Sequence, residues 1–359
     1  MKAAVVSLAK RSTNVIELDE PQITAPDQVK LKVLRVGVCG TDREICSFEY
    51  GDPPAGADFL VLGHECLGEV IEIGSAVTGF KPGDLAVPMV RRPCEHPECV
   101  ACRAGRPDFC YTGDFTERGI KQRHGFMTEM VVDSEQYMNL LPADLREVGV
   151  LTEPLTIAEK ALEQIRAVQT RLPWTARHRA LVLGAGPVGL LGAMTLVNAD
   201  FDVTVYSKNA EPNDAANIVK AIGARYISSD QTPVDQMALQ VGNIDVVYEA
   251  VGASQFAFDV LRVLGTNGLF VFTGVPGHHA PVAIDTDNIM RNLVLKNQAV
   301  IGSVNAGKIA FEEAIRDLAA FNQKWPDAVK GLITGHYPID RFGEPIAGHS
   351  GIKNVIEIG

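Results

Sequence analysis

The amino-acid sequence predicts an α/β protein in two domains, a β-rich domain followed by a doubly wound parallel sheet. Three observations lead there. At 359 residues the chain exceeds what one core ordinarily organises. Residues 1–150 hold short β-branched stretches broken by turn residues. From residue 179 apolar strands alternate with helical segments, a rhythm that implies crossover connections and parallel pairing.

In the first stretch KLKVLRVGV (30–38) and LGEVIEIG (67–74) read as strands, punctuated by Pro53-Pro54 and Pro82-Gly83-Asp84. Residues 157–168 have helical spacing, with Ala158, Ala161, Leu162 and Ile165 on one face and Pro173 as a stop. In the second stretch ALVLG is a buried strand, PVGLLGAMTLV a helix, FDVTVYS a strand and AANIVKAIGA a helix. RYISS, IDVVYEAVG and LFVFTGV continue as strands, and IKNVIEI (352–358) reads as a closing strand able to rejoin the first domain. The resulting domains are 1–175, completed by 306–359, and 176–305. There is no internal repeat and no low-complexity tract.

Composition removes several classes of function. With 46% hydrophobic and 21% charged residues the chain is globular. Its 33 basic and 44 acidic residues give a net charge of −11 without any basic run, so neither nucleic acid nor an anionic membrane is an expected partner. Residues 180–197 carry no charge, yet Gly184, Gly186, Pro187, Gly189 and Gly192 divide them into strand, turn and helix instead of a membrane span. All seven cysteines precede residue 111, an odd count that reads as metal ligation in a reducing compartment. The apolar stretch before Lys10 is too short for a signal peptide, so a cytoplasmic location is expected.

Four groups of residues carry chemistry. Gly184-Ala185-Gly186-Pro187-Val188-Gly189 directly follows a strand and opens a helix. The first glycine permits the tight turn, the second lets backbone approach a pyrophosphate, and the third lets helix pack on strand. The helix N-terminus adds free N–H groups and a partial positive charge. The next strand ends in Ser207-Lys208-Asn209, where a carboxylate for the ribose 2′-hydroxyl of NAD would ordinarily stand. Lys208 can instead pair with a 2′-phosphate.

Cys99-x2-Cys102-x7-Cys110 suits a closed, tetrahedral structural zinc, with Cys94 as an all-thiolate fourth ligand or His96 as the alternative. The last group is dispersed. Cys39, His64, Glu65 and Glu153 together offer a thiolate, an imidazole and carboxylates to a second zinc with an open position.

The string Gly63-His64-Glu65-x2-Gly68-x5-Gly74-x2-Val77 resembles the zinc signature of the medium-chain dehydrogenase/reductase superfamily, and nearly the whole chain is similar to it. More narrowly, GVCGTDRE, DFLVLGHE, VRRPC, CRAGRPDFC, HGFM, EKALE and IGSVN resemble the archaeal-type glucose 1-dehydrogenase family. The resemblance implies a GroES-like catalytic domain, a Rossmann domain, two Zn²⁺ per chain, and a homodimer or homotetramer. It gives Cys39, His64 and Glu65 as catalytic zinc ligands and Glu153 as a fourth position that meets zinc or substrate. Consecutive His64 and Glu65 side chains are not expected to point the same way easily. Thr41 matches the hydroxyl that relays the substrate proton, with Glu44 as the next step. Thr41, Glu117, Glu153 and Asn305 match substrate contacts. Gly184 to Gly189, Ser207, Lys208, Asn209, Phe272, Thr273, Gly274, Val275, Ser303, Val304 and Asn305 match the cradle of NADP, with NAD as a second cofactor.

The implied reaction oxidises a small aldose at C1 to the aldonolactone, with hydride passing to the nicotinamide. Polyol and L-threonine dehydrogenases share these parts. A non-enzymatic dinucleotide sensor would not need Cys39, Thr41, His64 and Glu153 together. Val90, Ile157 and Leu295 stand where some members have polar sugar contacts, and the Cys94–Cys99 gap is longer than the spacing some members show. Cys46 and Cys66 match no ligand and read as packing residues. His124 reads as structural or adjacent to the site, and His278 and His279 as solvated.

Overall fold

The computed structural model describes residues 1–174, 178–277, 281–348 and 350–359, so His278 and His279 lie outside the described residues. The chain forms two compact units. One comprises Met1–Glu153, Ala306–Asn322 and Val329–Gly359, the other Pro154–Asn305 and Gln323–Ala328. The boundary near 153 precedes the 175 read from the sequence, because the helix expected at 157–168 belongs to the second unit.

The first unit opens with β1 (Lys2–Ser7), β2 (Ser12–Glu17), β3 (Gln28–Gly37), α1 (Gly40–Cys46), β4 (Leu60–Val61), β5 (Glu65–Ile73) and β6 (Leu85–Pro88). It continues with β7 (Arg91–Arg92), α2 (Val100–Arg103), β8 (Thr116–Arg118), β9 (Gln122–Arg123), β10 (Met130–Ser134) and β11 (Met138–Leu141). Apolar residues at alternate positions of β3, with Val70 of β5, put Val29, Leu31, Val33 and Val70 into one core with Leu60, Leu62 and Phe126. The main sheet runs β11-β6-β5-β3 and then two later strands, with β10 also pairing β3.

The second unit contains α3 (Thr152–Gln169), β12 (Arg179–Leu183), α4 (Pro187–Asn198), β13 (Asp202–Ser207), α5 (Asp214–Ala221), β14 (Arg225–Ser228), α6 (Val234–Val241) and β15 (Val246–Glu249). It closes with α7 (Ser254–Leu261), β16 (Leu269–Phe272), α8 (Thr286–Leu295) and β17 (Ala299–Gly302). α3 starts five residues ahead of the periodic stretch because Pro154 sits in its first turn, where no N–H is missed. Its expected face, Ala158, Ala161, Leu162 and Ile165, is buried. Buried Glu159 accepts a hydrogen bond from Thr195 at 2.8 Å, and buried Lys160 donates to the Val304 carbonyl at 2.8 Å. The sheet is entirely parallel in the order β14-β13-β12-β15-β16-β17. Strand order reverses between β12 and β15, the switch point beside which such sheets bind ligands at their carboxyl ends.

The chain ends with α9 (Lys308–Lys324), α10 (Pro326–Lys330), β18 (Ile333–Pro338), α11 (Gly343–Ala347) and β19 (Lys353–Glu357). β19 pairs antiparallel with β3, Val355 opposite Gly37, so the closing strand rejoins the first unit as expected. No helix among the described residues is long and apolar enough to cross a membrane.

Candidate active site and metal centres

The catalytic cluster is assembled where β3 gives way to α1 and where β5 begins. Cys39 is the N-cap of α1, held by its own N–H, which donates to Asp42 Oδ2 at 2.9 Å. Gly63, with φ of +86°, turns the chain into β5 and delivers His64 and Glu65 to the same place. One ligand atom from each of Cys39, His64 and Glu65 lies within 4.8 Å of the others. Consecutive side chains converge because His64 precedes the strand and is not bound by its alternation.

Asp42 and Lys353, to which the sequence assigned no role, complete the surroundings. Asp42 is fully buried and places Oδ1 3.6 Å from His64 Nδ1, an ion-pair separation longer than a hydrogen bond, so its carboxylate faces the imidazole. Burial disfavours a charged His64, but the Asp42 carboxylate and Cys39 outweigh it and hold the imidazole well above its ordinary pKa. Lys353, on β19 and also buried, pairs with Glu65 and donates to the Val38 carbonyl at 3.1 Å.

Glu153 stands outside the group of mutually close ligand atoms, in the same buried electrostatic environment. Burial, aided by Glu65 and Asp42 and opposed by His64 and Lys353, pushes its carboxyl up to about 7. Asp42, Glu65 and Glu153 thus bring three buried carboxyls against the Lys353 ammonium and the His64 ring, and that ring must give up its proton to ligate a metal. Buried carboxylates need compensating positive charge. A divalent cation on Cys39, His64 and Glu65 supplies it, and a thiolate, an imidazole and a carboxylate are a donor set zinc accepts.

Thr41 is half-buried in the first turn of α1, with Glu44 one turn on. Glu117 lies opposite Arg91 in the β7–β8 register; both are buried, and Arg91 Nε donates to Glu117 Oε1 at 3.0 Å. Tyr50, half exposed and unassigned from the sequence, is raised by burial and by Glu117, with Arg91, Glu44 and His64 also acting on it. His124 Nδ1 accepts from the Val61 N–H at 3.2 Å and its ring stacks on Phe59, which makes it a structural residue. Cys66 is buried, and Val90 sits in the core of the unit.

The second cluster brings Cys94, Cys99, Cys102 and Cys110 together, with their sulfurs within 4.8 Å of one another. His96 is turned elsewhere, its Nε2 2.5 Å from Asp114 and its Nδ1 3.3 Å from Glu98. Burial works against ionising Cys110, but hydrogen bonds from the Thr112 hydroxyl and the Gly113 and Thr112 N–H groups bring its thiol down to about 6. A thiolate favoured in a four-sulfur cage fits a closed zinc site.

In the second unit Gly184 has φ of +95° and donates its N–H to the Tyr206 carbonyl at 3.0 Å, which carries the β12–β13 pairing up to the turn. A Cβ on Gly186, the N-cap of α4, would meet nothing within 4 Å, so the space before the helix N-terminus is open to a ligand. Gly189 lies so close to the Gly184 carbonyl that no side chain fits between. Ser207 ends β13 and Lys208 and Asn209 follow it, both exposed. Phe272 ends β16, Thr273 to Val275 follow it, and Ser303 to Asn305 follow β17. Asn305 takes φ of +58°, a backbone state asparagine tolerates better than most residues.

Residues 25–143 match the family described as the alcohol dehydrogenase GroES-like domain, and residues 146–358 the family described as the glucose dehydrogenase C-terminus. The chain is 38% identical over 361 residues to the glucose 1-dehydrogenase of Methanocella arvoryzae, covering 100% of both. It is 37% identical over 351 residues to that of Thermoproteus tenax, covering 97% of this chain and 96% of the relative. A solved structure of Haloferax mediterranei glucose dehydrogenase in complex with NADP, Zn and gluconolactone is similar at a TM-score of 0.89 and 33% identity, covering 100% of this chain and 99% of that one.

Proposed function

Because the chain belongs to the glucose 1-dehydrogenase family of zinc-dependent medium-chain dehydrogenases, we propose that it oxidises D-glucose, or a close epimer, at C1 with NADP⁺ and gives the aldonolactone. The observation that carries this reading is the convergence of half-buried Cys39 with buried His64 and Glu65, backed by Asp42. When bound there, zinc supplies Lewis acidity that lowers the pKa of the substrate hydroxyl, and the nicotinamide supplies the hydride acceptor. The Asp42 carboxylate faces His64. Thr41 takes up the hydroxyl proton and hands it toward Glu44, one turn on along α1. Glu117 and Glu153 engage the remaining hydroxyls. The turn from Gly184 to Gly189 receives the pyrophosphate at the N-terminus of α4. C1 thus loses a hydride to the nicotinamide and its hydroxyl loses a proton, a two-electron oxidation that leaves the ring carbonyl of a lactone.

Purified protein assayed against aldoses, polyols, ethanol and L-threonine tests the assignment. Polar groups placed for vicinal hydroxyls are left unpaired by simple alcohols, so ethanol should turn over ~10⁴-fold less efficiently than the best aldose. L-Threonine or a polyol outperforming every aldose would move the protein to another branch of the superfamily.

Ser207 and Asn209 can donate hydrogen bonds to a 2′-phosphate and Lys208 adds a point charge, whereas no carboxylate stands at the end of β13 to claim the ribose diol. Lys208→Ala should raise the KM for NADP⁺ by about tenfold, equivalent to ~1.4 kcal/mol, and leave that for NAD⁺ nearly unchanged. Equal effects on both cofactors would show that Lys208 does not read the phosphate. A lysine lacks the bidentate fork of arginine, which is why NAD⁺ use persists in this reading.

A homo-oligomer accompanies the proposal. α8 has no buried residue, and its Met290, Val294 and Leu295 are 64, 71 and 66% exposed. β17 beside it is an edge of the parallel sheet. Apolar side chains next to an uncovered edge strand are what a second copy would bury.

A further inference from the structure

Glu249, the last residue of β15, is 1% exposed, yet it belongs to none of the groups assigned above. Its Oε1 accepts from the N–H groups of Val251 at 2.7 Å and Gly252 at 2.8 Å, and its Oε2 from the N–H of Gly274 at 3.2 Å. Its carbonyl accepts from the Thr273 hydroxyl at 2.6 Å, the Thr273 N–H at 3.0 Å and the Gly274 N–H at 3.2 Å, so the Gly274 N–H is shared between carbonyl and carboxylate. One residue therefore ties together the two loops that leave β15 and β16 at the carboxyl end of the sheet.

Those loops touch backbone to backbone. A Cβ on Gly252, whose φ is +72°, would stand 2.6 Å from the Val275 carbonyl oxygen, and Gly274 has no room for one beside Gly252. The glycine-rich turn joins the same assembly, since a Cβ on Gly184 would stand 2.7 Å from a methyl of Val251. A buried charge is retained only when its hydrogen bonds are complete, and here backbone N–H groups complete them. A neutral acceptor would close one loop. Two carboxylate oxygens close two.

We propose that Glu249 is a positioning residue for the dinucleotide, clamping residues 250–252 and 273–275 against the turn at Gly184 before any cofactor arrives. This rests on the dinucleotide reading of that turn. A loop set already ordered in the free protein spares the ligand the cost of ordering it. Glu249→Gln keeps the size of the side chain but offers one acceptor, so it holds Val251 and Gly252 or its share of the Gly274 N–H, not both. Glu249→Ala frees Val251 and Gly252 and leaves the 273–274 loop on the main-chain carbonyl alone.

Calorimetric titration with NADP⁺ should show binding weakened about threefold by Glu249→Gln and tenfold or more by Glu249→Ala. Hydrogen exchange in the cofactor-free protein should quicken most at the Val251 and Gly252 amides, less at Gly274 and not in α4, while zinc content and the KM for sugar at saturating NADP⁺ stay at wild-type values. Variants that bind NADP⁺ as tightly as the wild type, or that exchange faster throughout the second unit, would overturn the clamp and leave the cofactor assignment standing. Wild-type protein that binds neither NADP⁺ nor NAD⁺ would remove both.

Discussion

Cys39→Ser or His64→Ala should lower kcat at least a thousandfold while the protein still unfolds in one cooperative transition. The expectation follows from where the cluster sits. Cys39 caps α1 and His64 stands ahead of β5, both at the ends of elements whose interiors pack elsewhere. Removing either ligand takes away a metal that contributes several kcal/mol of transition-state stabilisation, and each 1.36 kcal/mol is a factor of ten in rate. His64→Ala also leaves Asp42, fully buried, without the imidazole it faces, so a stability loss of about 1–3 kcal/mol should accompany the lost rate. Metal analysis should find one zinc per chain in these variants and two in the wild type. A variant that keeps both zincs, or keeps its rate, would break the assignment.

How much of this was legible in the sequence depends on distance along the chain. The parallel sheet was legible because each strand and helix announces itself locally: ALVL, the glycine turn and PVGLLGAMTLV are contiguous and became β12, Gly184–Gly186 and α4. The lobe cysteines were legible for the same reason, lying within seventeen residues of one another. The start of α3 was not, since Pro154 interrupts the apolar period although a helix accepts proline in its first turn.

Partners brought together by topology were the hardest to read. Lys353 reaches Glu65 only because β19 pairs with β3, which in turn pairs with β5. Nothing local distinguishes a buried lysine from a solvated one in KNVIE. Asp42 had a weak signal, a carboxylate three residues after Cys39 at the start of a helix, which is the position that caps a helix N-terminus. Glu249 had none, because its partners are backbone N–H groups whose positions exist only in the folded sheet.

Cys102→Ser should act on stability where Cys39→Ser acts on rate. Beyond the Arg106–Asp108 pair and the buried Pro107, the segment from Cys94 to Cys110 buries little apolar side chain. α2 is four residues long and buries none of them, and Val100, Phe109 and Tyr111 are 68, 45 and 63% exposed. A segment with so little apolar burial needs a cross-link, and four thiolates on one zinc provide it. Closed zinc sites contribute folding energy directly, ~10 kcal/mol or more in peptides that fold only around the metal. Here the loss is confined to one lobe of a larger unit. A cost of about 3–4 kcal/mol is therefore expected, lowering Tm by roughly 10 °C at the 2–4 °C per kcal/mol typical of domains this size. Proteolysis should begin within residues 94–110, where the freed backbone is exposed. At temperatures where the variant is folded its kcat should stay within about twofold of wild type, because a site with all four positions filled by sulfur has none left for substrate. A Cys102→Ser protein as inactive as His64→Ala but just as heat-stable as the wild type would show that the two centres do not divide structure from chemistry in this way.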